Sequence, residues 1–272
     1  AEVAPLTELG PRWGVAADRY LAAQPGVPDR TYVDQAYCLP DDAGADASSL
    51  SDRQARVGRT VLQKLLQELP GSRPQNLGFV LATEWTGGNW FERAASEGMR
   101  GIPELDLPPP PAIGYAPDGQ LQAIADGLIP ASAPRLAVDT ACASSLYGID
   151  LGRRLLLSGR ADAVAVMGLT AWLPLFLLTS FSQLMALSPE RRLLPYAANA
   201  SGIMLGEACG VLLMEPLSNA LAAGRPVLAV LRRQGLSADG ADRSVFAPGR
   251  DGQRLMYQRA YADLPADLDY LE

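Results

Sequence analysis

The chain has 272 residues, 48% of them apolar, enough for one large domain or two small ones with a sizeable core. Its formal net charge of −7 argues against nucleic acid or an anionic membrane surface as the main partner. Cys38, Cys142 and Cys209 are an odd number of cysteines without close spacing, which argues against a disulfide framework or a zinc site and for a reducing compartment.

Residues 1–28 carry Pro5, Pro11, Pro25 and Pro28 among mixed polar and apolar residues. So acidic and proline-broken a start does not read as a signal peptide. Residues 41–51, rich in Asp, Ala and Ser, read as a loop ending in a helix cap. A helix is predicted over 52–69, with Val57, Val61, Leu62, Leu65, Leu66 and Leu69 on one side and Pro70-Gly71 as its stop. Residues 77–82, Leu-Gly-Phe-Val-Leu-Ala, read as a buried strand leading into Thr83-Glu-Trp-Thr-Gly-Gly-Asn-Trp90. The prolines at 108–111 make 102–115 a stiff extended segment, and a short helix is predicted over 121–128.

The most informative stretch is Leu136-Ala-Val-Asp-Thr-Ala-Cys-Ala-Ser-Ser-Leu146. Residues 136–138 read as a buried strand end. From Ser144 the apolar period turns helical, with Leu146, Tyr147, Ile149, Leu151, Leu155 and Leu156 forming one wide face. Ser144 and Ser145 fall in the first helical turn, where serine satisfies free backbone N–H groups. Cys142 sits at the turn itself. A thiol at a helix start feels the positive end of the helix dipole, which favours the thiolate. Ala141 and Ala143 leave room for a substrate. The pattern is a nucleophile elbow with cysteine as nucleophile; the competing reading is a small buried hydrophobe.

Further on, Gly159-Arg-Ala-Asp162 reads as a turn and 163–167 as a strand, so strand, helix and strand follow in the order of a parallel crossover. Residues 164–183 carry no charge, a length that invites a membrane span. Gly168 and Pro174 interrupt the run, and its first part fits a strand, so no span is predicted. A helix over 217–223, a strand over 227–231 and a helix over 251–264 carrying Arg254, Tyr257 and Tyr261 complete the pattern. Cys209 reads as a small core residue in a packed loop.

Asp139-Thr-Ala-Cys-Ala-Ser-Ser-Leu146 closely resembles the active-site signature of the β-ketoacyl synthases, and its Ser-Ser-Leu ending resembles the modular polyketide type. Three further stretches resemble the family in the expected order: Phe181-Ser-Gln-Leu-Met-Ala-Leu-Ser-Pro189, Arg192-Leu-Leu-Pro-Tyr196 and Gly202-Ile-Met-Leu-Gly-Glu-Ala-Cys-Gly-Val-Leu-Leu213. Two departures stand out. The family's glycine-rich first strand is not recognisable, and Ala197 stands where the family has an aspartate. The resemblance runs from about Tyr32 to Glu272.

It implies an α/β fold: the N-terminal half of a thiolase-like αβαβα sandwich, a mostly parallel mixed sheet covered by helices. Residues 1–272 then form the first half of a ketosynthase, with the two catalytic histidines in a C-terminal half beyond Glu272. The chain's lack of histidine fits that division. By the same resemblance Cys142 is the nucleophile and a backbone oxyanion donor. Trp85, Gly87, Gly88, Trp90 and Phe181 border the acyl pocket, where two indoles would narrow the channel towards short or planar acyl primers. For the two tryptophans, packing in the core or at an interface is the equal alternative. Implied partners are an acyl carrier protein, whose phosphopantetheine brings the substrates, a chain or segment with the second half, and a second copy in a dimer. No cofactor or metal is expected, and the place is cytoplasmic. The alternative within the family is a non-catalytic chain-length-factor subunit, in which glutamine usually replaces the cysteine.

Overall fold

The computed structural model describes residues 5–13, 16–40, 50–84, 117–240 and 247–262. The chain divides into two units, Ala1–Glu215 and Pro216–Glu272.

The first unit is built on a four-stranded sheet. Its centre is Leu77–Thr83 (β3), a run without charge in which all seven residues are buried. Alternate side chains of a strand point to opposite faces. Leu77, Phe79 and Leu81 accordingly pack with Leu62 and Leu66 of the helix Leu50–Glu68 (α3), and with Leu121 and Ile124 of the helix Pro117–Ala125 (α4). Val80 packs on the other face with Leu155, Val164 and Val166. A strand covered on both faces has no solvated side, which is why β3 is continuously apolar.

Arg135–Val138 (β4) and Ala163–Thr170 (β5) flank β3, both parallel to it, and Ala208–Met214 (β6) adds to β5 antiparallel, giving the order β4-β3-β5-β6. Between β4 and β5 the helix Ser144–Leu157 (α5) crosses over β3. It lies close because Gly148 and Gly152, one turn apart, face the sheet: a Cβ at Gly152 would come within 2.8 Å of Val166 Cγ2, and one at Gly148 within 3.3 Å of Ala82 Cβ. Glycine inside a helix costs about 1 kcal/mol against alanine, offset here by the packing of α5 on Val80, Val164 and Val166.

The start of the chain lies apart from this sheet. Leu6–Glu8 (β1) pairs antiparallel with Gln35–Tyr37 (β2) in a two-stranded ribbon, joined through the short helices Gly10–Trp13 (α1) and Ala17–Tyr20 (α2). Leu9, Trp13, Tyr20, Ala36 and Cys38 form a second core with Trp172, Leu173 and Leu178.

The uncharged run 164–183 resolves into β5, an irregular link over 171–174, and the helix Leu175–Gln183 (α6), with Pro174 as its N-cap. Among the described residues no helix is long and apolar enough to cross a membrane. The helix expected over 121–128 lies earlier, at Pro117–Ala125, because Gly127 takes a left-handed φ of 72° that ends it. Cys209, expected in a loop, lies on β6, since the antiparallel ladder with β5 begins one residue before it.

In the second unit, Leu217–Ala222 (α7) and Arg250–Tyr261 (α8) are helices. The strand expected over 227–231 is not formed among the described residues. Leu228 is 92% exposed, and without a neighbouring backbone to bond, a β-prone run has nothing to hold it as a strand. The predicted stiff segment 102–115 and the last three residues of the helix predicted over 251–264, except Ala262, fall outside or at the edge of the described residues: 102–115 and 263–264 are outside them.

Candidate active site

Register places the site. Ala82 pairs with Val138, and Thr83 with Leu169, so the three parallel strands end side by side. Glu84, Asp139 and Thr170 therefore meet at the carboxyl edge of the sheet, where open α/β sheets place their sites. They line a cavity of about 240 Å³ together with Ala141 of the elbow. Trp172, Phe176 and Leu177 supply its apolar wall.

The elbow is held by short polar links. Asp139 Oδ1 accepts the Ala141 N–H at 3.0 Å, Ser144 Oγ accepts the Thr140 N–H at 2.8 Å, and the Ser144 hydroxyl donates to the Ala141 carbonyl at 2.7 Å. The serine expected to satisfy free backbone N–H groups does so at Thr140, ahead of the helix; the cap position itself is Ala143, without a side-chain bond. Ala141 takes φ 51°, the left-handed region, which costs a non-glycine residue about 1–2 kcal/mol. That turn leaves Cys142 exposed, two residues before α5. The thiol is thus no buried hydrophobe. Among the described residues no group of histidine, cysteine or carboxylate side chains could hold a metal ion.

The other thiols differ. Burial, then the Glu207 charge, pushes Cys38 up to about 11, the neighbouring Arg12 opposing; burial pushes Cys209 up to about 12. Both stay protonated at pH 8. Iodoacetamide at that pH is expected to label Cys142 alone in the folded chain, as read by peptide mass spectrometry. Prior labelling of Cys38 or Cys209 would refute this account of the elbow.

The cavity wall is braced by a buried ionic cluster that sequence reasoning did not reveal. Glu207, side chain fully buried, accepts from Arg12 at 2.8 Å, from Arg53 at 3.0 Å and from the Leu39 N–H at 3.0 Å. Arg53 also donates to the carbonyls of Ala171, Leu39 and Pro40. The Arg12 guanidinium lies 5.5 Å over the Trp172 ring, and Trp13 Nε1 donates to the Leu173 carbonyl at 2.9 Å. Residues 171–173 are thereby clamped beside the cavity. Arg12 and Arg53 lie 195 and 154 residues from Glu207, so no local pattern could have paired them.

Of the residues expected around an acyl pocket, Trp85, Gly87, Gly88 and Trp90 lie outside the described residues. Phe181, on α6, packs with Tyr32, Val33, Leu187 and Met204. Phe176, five residues earlier on that helix, is the phenylalanine that lines the cavity.

Residues 128–220, which include the elbow, match the model of the β-ketoacyl synthase N-terminal domain. The chain carries a β-ketoacyl synthase N-terminal domain. It is 32% identical over 256 residues to the spectinabilin polyketide synthase system protein NorC of Streptomyces orinoci, covering 92% of this chain and 11% of that one. The ketosynthase domain OzmH KS7 of the oxazolomycin system of Streptomyces albus JA3453 superimposes with a TM-score of 0.75 at 21% identity, over 94% of this chain and 44% of that one. The PfaC keto synthase–chain length factor superimposes with a TM-score of 0.71 at 24% identity, over 95% and 31% of the two chains. The chain thus spans about a tenth of the polyketide synthase relative and less than half of the solved ketosynthase domain. The thiolase-like fold expected from the motif is the fold found, a mostly parallel sheet with helices on its faces.

Proposed function

We propose that this chain is the cysteine-bearing part of a polyketide ketosynthase. The observation that carries the reading is the exposed Cys142 on its left-handed elbow, at the carboxyl edge of the sheet and the start of α5. The Cys142 thiolate attacks the carbonyl of an acyl thioester on the phosphopantetheine of an acyl carrier protein. The backbone N–H of Cys142 is one oxyanion donor. The bond from the acyl carbon to the carrier sulfur breaks, and the carrier thiol leaves with the proton that Cys142 gave up.

A malonyl thioester then loses carbon dioxide. The electron pair of the broken C–C bond becomes a carbanion, which attacks the acyl carbonyl on Cys142. A new C–C bond forms, the Cys142 thiolate is released, and the β-ketoacyl chain remains on the carrier. Decarboxylation and proton transfer call for histidine-type groups. None of the 272 residues is histidine, so the reading assigns those groups to a second ketosynthase half, on this polypeptide or another.

The test is acyl transfer from an acyl carrier protein, with and without a co-expressed histidine-bearing C-terminal half. An acyl mass on the Cys142 peptide, and β-ketoacyl product only when the second half is present, are the expected results. With the second half present, neither adduct nor product would instead favour the chain-length-factor role.

A further inference from the structure

From Thr140 to Ser144 every backbone N–H but one has a protein acceptor among the described residues. The Thr140 N–H donates to Ser144 Oγ at 2.8 Å, and the Ala141 N–H to Asp139 Oδ1 at 3.0 Å. The Ala143 N–H donates to the Thr140 carbonyl at 3.3 Å, and the Ser144 N–H to the Ala141 carbonyl at 3.0 Å. The exception is the N–H of Cys142, for which no acceptor is found among the described residues. The turn thus uses the amides on both sides of the exposed thiol and spares the one that belongs to it.

Ser144 accounts for the direction of that amide. It is 6% exposed, and two of its donors converge on one acceptor: its N–H and its hydroxyl both reach the Ala141 carbonyl, at 3.0 and 2.7 Å. The Ala141 carbonyl and the Cys142 N–H are the two ends of one planar, trans peptide group and point in opposite directions. Drawing the carbonyl onto the start of α5 therefore turns the Cys142 N–H away from it. The Ser144 hydroxyl gives its single proton to Ala141 and accepts from Thr140, so it acts on Cys142 through the peptide and not as its base. Asp139 works from the other side of the turn, where its bond to the Ala141 N–H supports the left-handed φ of 51°.

We propose that Ser144, assisted by Asp139, is a positioning residue that aims the Cys142 N–H at the carbonyl oxygen of the incoming acyl thioester. The inference rests on the ketosynthase reading and adds the side chains that set its oxyanion donor. As the Cys142 sulfur bonds to the acyl carbon, the acyl oxygen takes up negative charge. A donor already fixed in direction stabilises that charge without reorganising at the moment of reaction.

The experiment separates the aim of the N–H from the reactivity of the thiol. Acyl transfer from a hexanoyl acyl carrier protein passes through an oxyanion. Alkylation by iodoacetamide does not, because the Cys142 thiolate displaces iodide from a saturated carbon. Both rates are read by mass on the Cys142 peptide, in the chain assembled with its second half. Ser144→Ala is expected to slow acyl transfer about tenfold or more and to leave alkylation within about twofold of the wild type. Asp139→Ala is expected to lower the ratio of acylation to alkylation in the same direction, and urea midpoints show which samples are folded.

Folded Ser144→Ala that acylates at the wild-type rate would overturn the proposal. Equal losses in the two reactions would also overturn it, since they would make Ser144 a support of the turn as a whole. Should Ser144→Ala not fold, Asp139→Ala decides by the same ratio, and an unchanged ratio overturns the proposal. A wild-type protein that is alkylated at Cys142 but accepts no acyl group would instead remove the ketosynthase reading beneath it.

Discussion

Cys142→Ala is expected to abolish acyl transfer to the chain while leaving its folding unchanged. Sulfur is the only atom in the proposed first step that bonds to the acyl carbon, so its removal leaves no partner for the group to transfer to. Loss of a nucleophile in acyl-transfer enzymes lowers turnover by more than about 10³-fold. Cys142→Ser is expected to fall almost as far, because a hydroxyl is far less ionised than a thiol at neutral pH and the chain has no histidine to serve as its base. Stability is a separate matter. Cys142 is exposed, while the elbow is held by Asp139, Thr140 and Ser144. Both variants should therefore unfold within about 0.5 kcal/mol of the wild type. Acyl adducts measured by mass, next to denaturant midpoints for the same samples, check both halves. Residual transfer to Cys142→Ala would mean another residue is the acceptor.

The largest loss of stability is expected from Glu207→Ala. The glutamate is fully buried between two buried arginines and accepts a third bond from the Leu39 N–H. Its removal does not simply delete three bonds. It takes away the carboxylate that lies between two guanidinium groups in a poorly solvated interior. Breaking a buried pair in this way costs about 3–5 kcal/mol. Glu207→Gln keeps the shape and part of the bonding but not the charge, and is expected to fall between. Arg12 should also lose its position over Trp172 in the Ala variant. Urea midpoints at constant slope measure the first effect. A Glu207→Ala midpoint equal to that of the wild type would show that the cluster contributes nothing net.

By itself the sequence determined the elements whose cause is local. β3 is legible because a strand buried on both faces needs an unbroken apolar run, and α3 because one face repeats at the helical period. The elbow is legible because a strand end, a small-residue turn and a serine-bearing helix start follow one another within eleven residues. The proposed nucleophile and the family resemblance came from that one stretch.

What the tertiary structure decided are the pairings across long separation and the direction in which side chains point. Five residues along a helix turn a side chain by about 140°, so Phe176 lines the cavity while Phe181, equally plausible in the sequence, packs with Tyr32 and Leu187. Residues 227–231 have the composition of a strand, but a strand is a property of two backbones, and none of the described residues pairs with them. Glu207, Arg12 and Arg53 are far apart in the sequence; only folding buries them together and so makes Trp172 a fixed wall of the site. Local periodicity and motif record what a residue does to its chain neighbours. Burial and electrostatic partnership depend on distances in space, and those exist only once the chain has closed.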